Sequence, residues 1–373
     1  MELLLCRRRP WGFVMLRLHV VRRVVSSVAA ATVFVAVSGV GVAHAGPGQF
    51  DVVGPSGSGT FGQQVVVLAN GNVVVTDPGF DLDVSHTDVG AVYLYDGVTH
   101  QVISTLTGST TDDNVGGGFN GVVALSNGNY VVTSTNWDVD GTHTDVGAVT
   151  WGNGLTGTSG VVSPSNSLTG STTGDNVGAG RWPAFSGVYA LSNGNYVVAS
   201  PSWDQDGGPT DVGAATWGNG LTGTSGVVSS SNSLIGSTSY DTVGGGGFNG
   251  VVSLSNGNYV VCSPLWDLDG SHTNVGAITL GNGLTGSTGP VTALNSVLGT
   301  TSGGGGWGLV YGFDYVHYQL VVGRPGDNTV TWMTVPVLPP TGANTNAFVA
   351  AALVFLAVGT VLVATRRRGP RAI

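Results

Sequence analysis

Four times along the chain two aspartates stand two residues apart, and a third acidic or amide residue follows five residues later. The sets are Asp81, Asp83 and Asp88; Asp138, Asp140 and Asp145; Asp204, Asp206 and Asp211; and Asp267, Asp269 and Asn274. Hard carboxylate oxygens at this spacing in a tight loop could coordinate Ca²⁺. The EF-hand pattern is not matched, because a bidentate Glu is missing. The same carboxylates could instead accept backbone N–H groups and shape an Asx-type turn. Both readings stand at this point. His86, His143 and His272 recur in three of the loops, but a histidine without fixed partners is thin ground for zinc. Trp137, Trp203 and Trp266 each precede the first aspartate of a loop, with Phe80 in that place in the first copy. Such rings either pack between neighbouring units or, if exposed, stack on the C–H face of a sugar.

Catalysis finds little support. Residues 46–341 contain no Glu, so the usual acid/base pair of a glycosidase would have to be built from Asp alone. Near-identical loops in four copies point to structure or multivalent binding, and the chain reads as a non-enzyme.

The loops sit in a repeat. "VVVLANGNVVVTD" (65–77), "VVALSNGNYVVTS" (122–134), "VYALSNGNYVVAS" (188–200) and "VVSLSNGNYVVCS" (251–263) are close copies. In each, an apolar strand a leads into Asn-Gly, a strong hairpin signal, and then into strand b. The acidic loop follows, then strand c ("GAVTWGN"), a Gly/Thr-rich loop and strand d ("NSLTGS"). Val-, Tyr- and Thr-rich runs bounded by Gly, Asn and Asp are strand signals. The expectation is an all-β chain, a β-propeller of about five four-stranded blades, with a solenoid as the rival. Repeats are placed at about 61–118, 119–184, 185–247, 248–306 and 307–335 within a domain of 46–337. The last has strands a to c only, and "QFDVVGP" (49–55) is expected to add its strand d and close the ring.

The charge is one-sided. Residues 46–341 hold 20 Asp against two Arg and no Lys, a net charge of −18. That excludes nucleic acid as a partner and leaves cations or a basic partner. If b–c and d–a loops share one end of the sheets, 17 of the 20 Asp gather there. Cys262 is the single cysteine of this region, so it holds no internal disulfide.

Both ends carry export signals. Arg22 and Arg23, an apolar run and Ala43-His44-Ala45 read as a signal peptide over residues 1–45, cleaved after Ala45. Translation from Met15 would give a more compact charged region. Near the other end, Leu338-Pro339-Pro340-Thr341-Gly342 precedes an apolar stretch, 347–365, and a run of three arginines. Nineteen residues at ~1.5 Å rise suit the hydrocarbon core of a bilayer.

Residues 338–373 resemble the cell-wall sorting signal of Gram-positive surface proteins. The resemblance implies cleavage by a sortase between Thr341 and Gly342 and joining of Thr341 to the peptidoglycan precursor. The membrane would be met only through the transient helix. Residues 59–97 resemble the FG-GAP repeats of integrin α-subunit propellers, in their Phe61-Gly62 start and "GAVYLYDG" strand. That family's calcium loop lies between strands a and b, which here is "LANGN" or "LSNGN", without a carboxylate. The expected function is a secreted, wall-attached protein with an acidic propeller face for adhesion or binding of a glycan or protein. The alternatives are a structural wall coat without a specific ligand, or a surface polysaccharide hydrolase.

Overall fold

The computed structural model describes residues 4–5, 49–118, 120–180, 186–246, 250–303 and 305–334. The cleavage residues Ala43 and Ala45, the sorting motif Leu338–Gly342 and the apolar stretch 347–365 lie outside the described residues. Among the described residues no helix is long and apolar enough to cross a membrane. The chain divides into two compact units, one of Arg7–Val53 and one of Met1–Cys6 with Gly54–Ile373. The second unit holds all the described strands.

Each of the first four repeats folds into its own antiparallel meander in the order a-b-c-d. Repeat 1 uses β2 (Val65–Val67), β3 (Val73–Asp77), β4 (Ala91–Tyr95) and β5 (Val102–Thr107). Repeat 2 uses β6 (Val122–Ala124), β7 (Tyr130–Ser134), β8 (Ala148–Gly152) and β10 (Ser167–Thr169). Repeat 3 uses β11 (Val188–Ala190), β12 (Tyr196–Ser200), β13 (Ala214–Gly218) and β15 (Ser233–Ile235). Repeat 4 uses β16 (Val251–Ser253), β17 (Tyr259–Ser263), β18 (Ala277–Gly281) and β20 (Ser296–Leu298). The c–d loops of repeats 2, 3 and 4 also send a two-residue strand to the preceding sheet. These are β9 (Gly160–Val161), β14 (Gly226–Val227) and β19 (Gly289–Pro290), paired in parallel with β5, β10 and β15. The fifth sheet holds β21 (Val310–Asp314), β22 (Gln319–Arg324) and β23 (Thr329–Thr334), with β1 (Leu4–Leu5) on the edge of β21.

Alternation along the strands makes both faces of an inner sheet apolar. In repeat 2, Tyr130 and Val132 pack with Val74, Val92 and Leu94 of repeat 1. Val131 and Val149 pack with Tyr196 and Val198 of repeat 3. The same arrangement joins repeats 3 and 4, and repeat 4 to the fifth sheet. Burying one such valine contributes roughly 1.5–3 kcal/mol, so a repeat without neighbours would lose most of its core.

Two expectations about closure are corrected. Residues 49–55 form no strand, so they do not complete the fifth sheet. Among the described residues no core cluster contains side chains from both the first and the fifth sheet, and ring closure is not seen. The free face of the first sheet is instead partly covered by Phe61, with Val65 and Val67 left exposed on it. Its ring meets Tyr93 edge-on at 5.7 Å and Tyr95 at 6.3 Å. The strap carrying Phe61 is tied down where Asp77 Oδ1 accepts the Thr60 N–H at 2.7 Å.

Candidate functional site

The Asn-Gly-Asn turns do more than reverse the chain. In each, only the glycine takes a positive φ: 89° at Gly71, 88° at Gly128, 87° at Gly194 and 84° at Gly257. The Gly128 N–H donates to Leu125 O, and the Leu125 N–H to Asn129 O. The hairpin is therefore longer than the two-residue turn that Asn-Gly suggests, and both asparagine side chains are left to bond elsewhere. Asn127 Oδ1 accepts the Asn129 N–H at 3.1 Å. Both Nδ2 groups then reach into the next repeat, where each donates to Gly220 O at 2.8 Å. Trp151 Nε1 donates to the same oxygen at 3.0 Å. Asn193, Asn195 and Trp217 repeat this three-donor clasp on Gly283 O. Asn70 and Asn72 hold Gly154 O. A side chain does not fit at the clasped position, because a Cβ on Gly220 would stand 1.7 Å from Gly194 O.

The acidic loops lie at the other end of the strands. Their first carboxylate closes the loop on itself: Asp138 Oδ1 accepts the Asp145 N–H at 2.7 Å, and Asp81, Asp204 and Asp267 do the same for residues 88, 211 and 274. The third residue is held in the left-handed region, at φ 51° to 53° for Asp88, Asp145, Asp211 and Asn274, where Asp and Asn are tolerated. The second carboxylate caps the loop tip. Asp140 Oδ1 accepts from the Thr142 N–H, the Thr142 hydroxyl and the His143 N–H, and His143 Nδ1 lies at 3.1 Å. Asp83 with His86 and Asp269 with His272 are built alike. The hydroxyls and N–H groups of Ser85, Thr142 and Ser271, joined by the histidines, hold these three carboxyls well below the usual carboxylate range. Asp206 lacks the histidine and accepts the Ser171 hydroxyl of repeat 2 at 2.7 Å instead.

Three aspartates of the d–a loops were not singled out from the sequence as site residues. Asp113, Asp175 and Asp241 are fully buried. Asp175 Oδ2 accepts the Ser171 and Thr172 N–H groups, both at 2.8 Å, and its Oδ1 accepts the Asp204 N–H of repeat 3 at 2.9 Å. Asp113 and Asp241 hold Asp138 N–H and Asp267 N–H in the same way. Burial pushes the Asp113 and Asp175 carboxyls up, and the N–H donors pull them back. The signal that could have found them is the Ser-Thr-Thr/Ser-x-Asp run recurring before strand a, in which an Asp follows its two donors at short range. These bonds place the d–a loop of one repeat beside the b–c loop of the next, the shared end expected from the charge pattern.

Sugar stacking by the loop tryptophans is corrected. Trp137, Trp203 and Trp266 are 3–4% exposed and lie within the clusters between repeats, where no ring face is open to a ligand. Among the described residues no three His, Cys, Asp or Glu side chains come together as a metal ion would require. The Asp-x-Asp carboxylates accept from N–H and hydroxyl groups of their own loops, except Asp206, which accepts from Ser171 of the preceding repeat.

A repeat of unknown function, DUF5650, matches residues 67–117, 124–179, 190–245 and 253–305, together more than half of the chain. The chain belongs to that repeat family. The likeness of residues 59–97 to FG-GAP repeats remains a resemblance beside this match. The LPXTG cell wall anchor motif matches residues 334–369. The protein is secreted and covalently attached to the cell wall, with sortase and peptidoglycan as its partners in that attachment. No curated protein matches the chain.

Proposed function

We propose that this is a non-catalytic display protein of the wall, a stack of sheets that presents one acidic, solvated end. The observation that carries this is the division of labour among its carboxylates. One set of aspartates is buried at the repeat boundaries, while Asp83, Asp140, Asp206 and Asp269 stay exposed at loop tips on the same end. With 20 Asp against two Arg in residues 46–341, that end would attract cations diffusely and bind a basic partner by charge rather than through a shaped pocket. Such binding weakens steeply with salt.

The test is to measure binding of a cationic peptide to the protein at low salt and at about 0.5 M NaCl, where exposed charges are strongly screened, beside a neutral oligosaccharide. Salt-sensitive peptide binding, reduced in a D83N/D140N/D206N/D269N variant, supports the reading. Salt-insensitive binding of the neutral sugar, reduced by the same changes, contradicts it.

A further inference from the structure

Trp332 stands in the ladder position that elsewhere packs against the next repeat. The register pairs Val131 with Trp151, Val197 with Trp217, and Val321 with Trp332. Leu94 and Leu280 hold the same place in repeats 1 and 4, opposite Val74 and Val260. All four of these side chains are covered by the following sheet, and Trp151 and Trp217 also hydrogen-bond to it. The fifth sheet turns Leu320, Val322, Phe313 and Met333 toward repeat 4. Its other face carries Trp332, 60% exposed, and Val330, 51% exposed. The anchor match begins at Thr334, the last residue of β23.

The two ends of the stack are thus unlike. At the first sheet Phe61 covers part of the equivalent face by packing on Tyr93 and Tyr95, while Val65 and Val67 of that face stay exposed. At the fifth sheet the open face lies nine residues before Thr341, the residue that the sorting motif implies is joined to peptidoglycan. Nine residues span at most about 32 Å. The wall polymer is therefore held within reach of this face, which raises its effective concentration there.

We infer that the face of the fifth sheet centred on Trp332 and Val330 is a docking surface for the glycan strands of peptidoglycan. The indole ring lies open on the same face as Val330 and Thr334, which suits the C–H face of an N-acetylated sugar with its hydroxyl and amide groups around the rim. The contact binds the polymer without the covalent link and is strengthened once that link is made. It would fix how the stack stands on the wall, so that one attachment gives a defined orientation.

The test is co-sedimentation of the full-length protein, purified in detergent, with protein-free peptidoglycan. Wild type, W332A, W332F and a W307A control are compared, with light scattering of each protein alone. Saturable pelleting that falls about tenfold in W332A, the size of a central aromatic contact, with partial recovery in W332F and no change in W307A, supports the inference. Pelleting of W332A equal to wild type overturns it. Dimers of wild type that W332A dissolves assign the face to a second copy and overturn it. Trp332 fluorescence shielded from a soluble quencher before peptidoglycan is added assigns it to the chain itself, with the same consequence.

Discussion

Asp175 Oδ1 accepts the backbone N–H of Asp204 at 2.9 Å, across 29 residues and one repeat boundary. The donor is the first residue of the next acidic loop, whose own carboxylate closes that loop on Asp211 N–H at 2.6 Å. A buried carboxylate therefore sets the position of an exposed acidic loop. Sequence, turn, packing and surface charge are linked through two hydrogen bonds.

Replacing Asp175 with Asn should destabilise the stack. The amide keeps one acceptor and brings an N–H₂ group to a place where three N–H donors converge. A buried donor left unpaired costs about 1–3 kcal/mol. Urea unfolding should show a lower midpoint, and hydrogen exchange should speed up at Asp204 N–H before it does at Val131 N–H.

The clasp of the Asn-Gly-Asn turn predicts unequal effects from two neighbouring asparagines. Asn129 Oδ1 is the acceptor for Gly154 N–H at 2.9 Å. N129A orphans that group as well as removing a donor from Gly220 O, and should cost about 1–3 kcal/mol. N127A also removes the acceptor of the Asn129 N–H, but at an exposed position where water can replace it. It leaves Gly220 O with two other donors, so it should cost about 0.5–1.5 kcal/mol, an ordinary hydrogen bond. Denaturant midpoints of the two variants decide this, and equal losses would mean that the clasp is not built as described.

Much of this was legible in the sequence, and the reason is physical. Strand order, the four repeats and the shared end of the acidic loops follow from alternation and turn residues, which act locally. The clasp was not legible, because Asn127 and Gly220 meet only after two sheets stack. The same holds for Trp137. An aromatic beside carboxylates is consistent with an exposed site or with a buried wedge, and only the packing of repeat 1 against it decides. Closure by residues 49–55 failed because a short apolar run was read as a strand, and it forms none although β23 lies at the edge of its sheet; alternation alone does not say whether a run finds its partner.

Acid should loosen the loop tips. The folded values of Asp83, Asp140 and Asp269 lie below the usual range. Their contribution is therefore present above the unfolded value of about 3.9 and is lost as pH falls below it. Asp113 and Asp175 are shifted up, so protonation favours the folded state there, and their contribution declines as pH rises through the raised values. On acid titration from neutral pH to below the usual carboxylate range, the amide signals of Thr142 and His143 should broaden or shift while the boundary amide of Asp204 keeps its protection. Loss of both together would contradict this assignment.

The central question is whether the repeated Asp-x-Asp loops hold themselves or are held by a metal ion. Thermal unfolding of the protein should be compared in excess EDTA and in millimolar CaCl₂, at matched ionic strength. Self-held loops predict superimposable transitions, because the loop carboxylates are already bonded to N–H and hydroxyl groups. Binding a cation at a hundredfold excess over its dissociation constant would add about 2.7 kcal/mol to the native state. A rise of several degrees with calcium, abolished in D138N/D140N, would contradict self-held loops and make the repeated loop a metal site.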